Sequence, residues 1–160
     1  MDIRAFSPQD HHRLIDLTHR VFAPFYEDGF RPLMGETIFA VQHGDWRADY
    51  ERQLAGLHDP ERLRYIDVAD DAGRIAGFVA WNVDPERGHG EIELLAVEPA
   101  LRHQGTGRAL CGHAMSTMKS MGARIMEIAT GGDPYHSPAR ALYESLGCVQ
   151  IPVAVYFKEL

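Results

Sequence analysis

The amino-acid sequence predicts an α/β (α+β) fold, with a mixed, mostly antiparallel sheet and helices on both of its faces. Two observations support this. Several segments repeat apolar residues at helical spacing, and short apolar runs bounded by Gly, Pro and Asp separate them. The predicted order is β-α-α-β-β-β-α-β-α-β. With 160 residues, the chain is expected to form one domain, residues 1–160.

The first part of the chain predicts one strand and two amphipathic helices. These elements are expected over residues 2–6, roughly 8–24 and roughly 46–57. Ser7 followed by Pro8 is typical of a helix start, and Asp45 can cap the second helix. The segment between the helices, residues 24–44, is rich in Pro, Gly and aromatic residues. We expect an irregular but ordered loop there, because its apolar groups argue against disorder.

The rest of the chain predicts the main part of the sheet. Three strands are expected to form an antiparallel meander over residues 62–69, 75–83 and 91–97. A helix ending near Met121 follows. The remaining expected elements are a strand over 124–129, a helix from Ser137 to about Leu146, and a final strand over 153–157.

Composition excludes some classes of function. The net charge of -7 argues against a nucleic-acid partner, which requires a Lys/Arg surface, and it is compatible with a cationic substrate. The first residues, MDIRAFSPQD, lack the basic and apolar regions of a signal peptide, and no apolar run approaches the roughly 18 residues of a membrane span. We therefore expect no membrane partner. Cys111 and Cys148 lie among apolar neighbours, as expected of free thiols in a cytoplasmic protein.

The nine histidines do not predict a metal site. His11 and His12 are adjacent on a helix and so point to different faces, and no HExxH occurs. His43 is expected on the surface or at a helix cap.

The most informative stretch is VEPALRHQGTGRAL, residues 97–110, in which a strand is followed by a glycine turn and a helix. Gly105 and Gly107 permit close backbone approach and unusual dihedral angles. The free N–H groups at the helix start favour an anion, and Arg102 and Arg108 add positive charge. These features together indicate a pyrophosphate site. The pattern does not fit a dinucleotide fingerprint, because Leu110 occupies the third glycine position, nor a P-loop, because no Gly-Lys-Ser/Thr follows. A G-x-G alone could equally be a structural turn.

The surroundings of the glycines resemble a known family. Arg102-His-Gln-Gly-Thr-Gly107, after a strand, resembles the acetyl-CoA pyrophosphate motif of the GCN5-related N-acetyltransferase (GNAT) family. Ala139-Arg-Ala-Leu-Tyr-Glu-Ser-Leu-Gly147 resembles the helix of that family that flanks the CoA thiol. The predicted element order also agrees with the family. The resemblance implies a GNAT-like twisted sheet and an acetyl-CoA-dependent N-acetyltransferase, with acetyl-CoA as co-substrate and no metal.

The resemblance also implies roles for individual residues. The main chain of the strand would pair with the pantetheine arm, and backbone N–H groups of the turn would hold the pyrophosphate. The implied cofactor-binding residues are Leu95, Ala96, Val97, Arg102, His103, Gln104, Gly105, Thr106, Gly107, Arg108 and His136. His136 stands where many members have an Asn, so His136, Ser137 and Asp133 remain alternatives for that contact. Tyr143 would protonate the leaving thiolate.

Aminolysis of a thioester also requires a base for the amine and a donor for the developing oxyanion. Glu91 and Glu93 share one strand face by period two, and Glu127 is expected on the neighbouring strand. By resemblance, Glu93 is preferred as base over Glu91, and a water chain is the alternative. A backbone N–H near Leu95 or Ala96 would polarise the carbonyl. The family attacks directly, so no nucleophilic cysteine is needed.

The acceptor is expected to be a small-molecule primary amine, with residues 24–44 as one wall of its pocket, including Phe30 and Glu36. Alternatives are a protein or peptide amine, another acyl donor, a non-catalytic acyl-CoA sensor, and an interaction domain. Whether two copies form a homodimer stays open at the level of sequence.

Overall fold

The computed structural model describes all 160 residues and contains one five-stranded sheet in the order β1-β2-β3-β4-β5. The strands are β1 (Asp2–Ala5), β2 (Arg64–Asp71), β3 (Arg74–Asp84), β4 (His89–Val97) and β5 (Ile125–Ile128). The first four pair antiparallel with their neighbours, and β5 runs parallel to β4. The mixed, mostly antiparallel sheet predicted from the sequence is therefore confirmed.

Six α-helices accompany the sheet. They are α1 (His11–Ala23), α2 (Arg31–Met34), α3 (Glu36–His43), α4 (Trp46–Gly56), α5 (Thr106–Ser120) and α6 (Ser137–Ser145). A 3-10 turn over Pro8–Asp10 precedes α1, as the Ser-Pro start signal predicts. None of the helices has the length and apolar content that crossing a bilayer requires.

The expectation of an irregular loop over residues 24–44 is wrong. A π-helical segment over Pro24–Phe30 continues α1, and α2 and α3 follow almost without interruption. Pro24 and Pro32 each stand at the beginning of one of these segments, and their fixed φ is compatible with helical backbone. Gly35 has a φ of 79° and joins α2 to α3. The prolines that suggested a loop lie where one helical segment passes into the next, and Gly35 separates α2 from α3.

The sheet is covered on both faces by separate apolar clusters. On one face, Leu17 of α1 and Leu54 of α4 pack with Phe78 and Leu94 of the sheet. On the other, α5 packs against Val79, Trp81 and Ile92. This arrangement confirms the prediction of helices on both faces.

The predicted final strand over residues 153–157 does not form within this chain. After α6, Gly147 adopts a φ of 86°, and the chain leaves the sheet without strand pairing. Residues 149–160 are all exposed. The alternating apolar pattern predicts a strand here, but residues 149–160 pair with no neighbouring strand in the structure.

Candidate active site

A β-bulge in β4 opens a gap between β4 and β5. Ala80 of β3 pairs with Leu94 and Trp81 pairs with Ile92, so Glu93 is the extra residue. Pairing between β4 and β5 ends at Ile92 and Ile128, next to the bulge. Beyond this point one edge of β4 has no strand partner, and its backbone groups can pair with an extended ligand.

This gap belongs to a cavity of about 720 Å³, within the range of small-molecule sites. Its walls come from both parted strands, the turn after β4, the start of α5, and α6. Residues from α1 and α4 close a further side, namely Val21, Phe22, Tyr50 and Gln53.

The turn after β4 supplies the glycine cradle at one end of the cavity. Gly105 caps α5 with a φ of 87°, a conformation that other residues rarely adopt. Helix α5 begins at Thr106 and has no acidic side chain in its first turn, so its free N–H groups present an uncompensated positive dipole. A Cβ on Gly107 would lie 3.1 Å from Cδ2 of Leu142, which explains the close approach of α5 and α6 there. The predicted anion site therefore has the required local geometry.

The structure brings most of the predicted cofactor-binding residues together around the cavity. Those that line it are Leu95, Val97, Arg102, His103, Gly105, Gly107, Arg108 and His136. Ala96, Gln104 and Thr106 do not line it. Ala96 packs in the core beside α1, and Thr106 is buried beneath the turn. Any contact from these two would therefore come from the backbone.

Arg108 has a partner within the protein. Its guanidinium donates to Oγ of Ser145 at 2.7 Å, at the end of α6. The Arg108 side chain thereby links α5 to α6. Arg102 also lines the cavity and makes no such bond, so its guanidinium is free to contact a ligand.

Tyr143 of α6 lines the cavity together with the parted strands. Burial raises the pKa of the Tyr143 hydroxyl above its usual value near 10, and the nearby Cys111 and Cys148 raise this pKa further. The phenol is thus protonated throughout the neutral pH range, as a proton donor must be.

Of the two strand carboxylates, only Glu93 lines the cavity. Its oxygens accept from Arg64 of β2, at 2.6 Å from one guanidinium nitrogen and 3.3 Å from another. Glu91 does not line the cavity, and it accepts from Asn82 at 3.3 Å. The preference for Glu93 over Glu91 agrees with this geometry. A proton transferred to Glu93 would nevertheless neutralise the carboxylate that Arg64 holds, so the ion pair with Arg64 opposes the transfer.

A second candidate base comes from the turn before α6. His136 Nδ1 lies 2.6 Å from Oδ2 of Asp133, and His136 lines the cavity. Burial alone would raise the pKa of Asp133, but the hydrogen bond and charge of His136 lower it below its usual range. A carboxylate that accepts from Nδ1 fixes the imidazole tautomer and leaves Nε2 as proton acceptor.

Neither cysteine is suited to act as a nucleophile. Cys111 is fully buried in the core beneath α5, and burial raises the pKa of its thiol to about 12. Cys148 is half-buried and follows α6. Neither cysteine lines the cavity.

The predicted acceptor wall over residues 24–44 is not part of the cavity. Phe30 packs against Phe25 and His43, and Glu36 pairs with Arg31. Phe25 contacts His136 with 4.5 Å between ring centroids, so this segment lies one layer behind the cavity wall. The turn over residues 131–137 is the nearer wall, because Tyr135 and His136 both line the cavity.

Two contributors to the site were not identified from the sequence pattern. They are Arg64, which holds Glu93, and Tyr135, whose hydroxyl donates to the Val21 carbonyl. Both contacts join residues far apart in the chain. Asp133 was named from the sequence only as an alternative cofactor contact, and its role as the partner of His136 was missed, although the i, i+3 spacing within one short turn is a local signal for that pair.

Solved structures define the class of this fold. An aminoglycoside 6'-N-acetyltransferase from Acinetobacter haemolyticus superimposes with a TM-score of 0.69 over 100% of this chain and 99% of that one, at 17% identity. A GNAT-family acetyltransferase from Brucella melitensis, solved in complex with acetyl-CoA, gives a TM-score of 0.59 over 84% and 78%, at 20% identity. The fold is that of the N-acetyltransferases.

Sequence comparison places the chain in a family. The model of the acetyltransferase (GNAT) family matches residues 19–148, and the chain belongs to that family. A mycothiol acetyltransferase of Beutenbergia cavernae is 29% identical over 147 residues, which are 92% of this chain and 43% of that protein. The chain thus spans less than half the length of this relative.

Proposed function

We propose that this chain transfers an acetyl group from acetyl-CoA to a primary amine of a small molecule by direct attack. The observation that carries the proposal is the gap at the Glu93 bulge. It connects the glycine cradle at the start of α5 with Tyr143 of α6. A long, thin thioester ligand with an anionic end fits a site of this shape and polarity.

The cradle and the parted strands support acetyl-CoA as donor. The free N–H groups at the start of α5 and the Arg102 side chain would hold the pyrophosphate. The unpaired edge of β4 from Leu94 to Val97 would pair with the amide groups of the pantetheine arm. The thioester would then lie near the bulge, between Glu93 and Tyr143.

The chemistry follows from that placement. The amine nitrogen attacks the thioester carbonyl carbon, the C–N bond forms, and the C–S bond breaks. The leaving thiolate takes a proton from the Tyr143 hydroxyl. Holding the two reactants side by side accounts for much of the rate that such a site can provide.

The proton of the amine goes to Glu93 or to His136. Glu93 is nearest the bulge but is engaged by Arg64, whereas His136 is oriented by Asp133 with one nitrogen free. Both line the cavity, so the geometry supports either one, directly or through a water. Glu91 is not supported, because it lies outside the cavity.

The cavity walls support a small acceptor. Residues of α1 and α4 and Tyr135 also line the cavity, whose volume of about 720 Å³ suits a compact amine beside the thioester. The similar proteins named mycothiol acetyltransferases also support a small-molecule acceptor. The net charge of -7 favours the approach of a cation.

The proposal is tested by incubating the protein with acetyl-CoA and a panel of small amines and peptides, with thiol release and product mass as readouts. Acetylated small amine formed in equal amount with free CoA supports it. Acetylation confined to peptides would contradict the acceptor class. Binding of acetyl-CoA without transfer to any amine would indicate a sensor.

A further inference from the structure

Aromatic rings line one part of the cavity. Phe22 of α1 and Tyr50 of α4 stack with 5.1 Å between their ring centroids and an interplanar angle of 15°. Tyr135, in the turn before α6, lines the same cavity. Burial raises the pKa of the Tyr50 hydroxyl, and Tyr135 raises this pKa further, which places the two tyrosines near each other. Three rings from three elements therefore meet at this part of the cavity, which we call the aromatic side.

The rings of the aromatic side are held from behind by the rest of the protein. Phe22 and Tyr50 pack against the apolar cluster that contains Leu94 of β4. The ring of Tyr135 lies against Phe25, with 5.8 Å between the ring centroids. A ligand that enters here meets surfaces that are already in position, so little ordering of the protein opposes its binding.

The aromatic side offers few polar groups to a ligand. The Tyr50 hydroxyl lies 3.3 Å from the hydroxyl of Tyr26, and the Tyr135 hydroxyl donates to the Val21 carbonyl. The residues of α1 and α4 that line the cavity include one further polar side chain, the exposed Gln53. A polyhydroxylated acceptor placed here would give up hydrogen bonds to water and regain few of them, which is unfavourable. The aromatic side therefore suits an apolar body.

The two candidate bases stand beside the aromatic side. Glu93 directly precedes Leu94, to whose cluster Phe22 belongs, and His136 directly follows Tyr135. Both Glu93 and His136 line the cavity. An apolar group bound among the rings would therefore need only a short chain to bring an amine to the thioester and to either base.

We propose that the acceptor is an arylalkylamine, whose aromatic ring packs among Phe22, Tyr50 and Tyr135 and whose short aliphatic chain carries the primary amine. The inference rests on the proposed acetyl transfer and adds the class of acceptor. An aromatic ring suits this place better than an alkyl chain, because ring pairs gain from offset and edge-to-face contacts beyond the area that they bury.

The first test compares four primary amines as acceptors under saturating acetyl-CoA: phenethylamine, cyclohexylethylamine, propylamine and glucosamine. We expect kcat/KM for phenethylamine to exceed the values for propylamine and glucosamine by about tenfold or more, since burying a ring of this size is worth that much. It should exceed the value for cyclohexylethylamine by about threefold, because the saturated ring lacks the aromatic contacts. Equal values for phenethylamine and any of the other three would overturn the proposal, while acetyl transfer itself would stand.

The second test changes one ring of the aromatic side and a matched ring elsewhere. Phe22 and Phe6 are both partly buried and pack against the same apolar cluster, but only Phe22 lines the cavity. Phe22→Leu should raise KM for phenethylamine about fivefold and leave KM for acetyl-CoA and for propylamine at the wild-type values. Phe6→Leu should leave all three constants unchanged. Wild-type KM for phenethylamine in Phe22→Leu, or the same rise in both variants, would overturn the proposal.

The third test is calorimetry of phenethylamine on the wild-type protein loaded with CoA, which needs no transfer. Binding that Phe22→Leu weakens and Phe6→Leu does not would support the aromatic side as a site for the ring. The same binding without acetylation of any amine would refute the proposed acetyl transfer and leave this inference standing. Absence of binding would overturn the inference, whether or not other amines are acetylated.

Discussion

Replacing Tyr143 with Phe isolates the proposed proton donor. Tyr143→Phe keeps the ring that packs against the core beneath α6 and removes only the hydroxyl. Loss of a general acid costs about 10²–10⁴-fold in rate, which corresponds to about 2.7–5.4 kcal/mol of transition-state stabilisation. We expect kcat to fall by this factor while the dissociation constant of acetyl-CoA changes less than about threefold, since the ring and the cradle are unchanged.

The cavity offers a matched control for this change. Tyr135 lines the same cavity, but its hydroxyl already donates to the Val21 carbonyl, so it is not free to protonate a thiolate. Tyr135→Phe should lower stability by about 1 kcal/mol and leave kcat nearly unchanged. The assay is thiol release under saturating acetyl-CoA, with calorimetry for binding. If both variants kept the wild-type kcat, Tyr143 would be a packing residue and the proposed route for thiolate discharge would be wrong.

Burial raises the pKa of Tyr143, so ionisation of this phenol should not reduce kcat between pH 7 and 9.5; a fall in that range that disappears in Tyr143→Phe would contradict its assignment. Gly105→Glu brings a side chain and a charge to a position with a φ of 87°, and acetyl-CoA affinity measured by calorimetry should fall at least tenfold. Gly112→Glu, on an exposed part of α5 with open space around it, should bind like the wild type. Whichever of Glu93→Gln and His136→Asn removes the true base should lower kcat/KM by about 100-fold, and equal small effects from both would point to a water chain. Asp10, buried and held by Arg4 with bonds of 2.7 and 2.9 Å, has a lowered pKa chiefly because of that hydrogen bond. Its stabilising effect is present at neutral pH and is lost as the pH falls through the lowered pKa, so Asp10→Asn should cost about 1–3 kcal/mol at pH 7 in urea unfolding, and a constant difference down to pH 2 would refute this.

The parts of the site predicted from sequence are those encoded locally. The run from the end of β4 through Gly105 and Gly107 into α5 depends on glycine dihedral freedom and helix-start chemistry within one short stretch. The structure therefore has the glycine turn and the helix start at the residues predicted for them. The placement of Tyr143 at the cavity follows from α6, whose start signal Ser137-Pro138 is equally local.

The parts that were mispredicted or missed depend on contacts between distant residues or on ambiguous signals. Pro24 and Pro32 read equally as loop residues or as helix starts, and the stacking of Tyr26 on Trp46 favours the helical form. The bulge at Glu93 depends on how β4 pairs with β3, which period two along one strand cannot show. The final strand is predicted from an alternating apolar pattern, but such a pattern does not show whether the segment pairs, and residues 153–157 pair with no strand.

The gap beside Glu93 is proposed to bind acetyl-CoA and to present its thioester to an amine. The most direct measurement is the stoichiometry of the reaction with a small primary amine, with free CoA and acetylated amine quantified by mass spectrometry in the same samples. We expect the two to appear in equal amounts at all times, and both to require the amine. Release of CoA that is independent of the amine, or acetyl-CoA that binds and stays intact with every amine offered, would contradict this proposal.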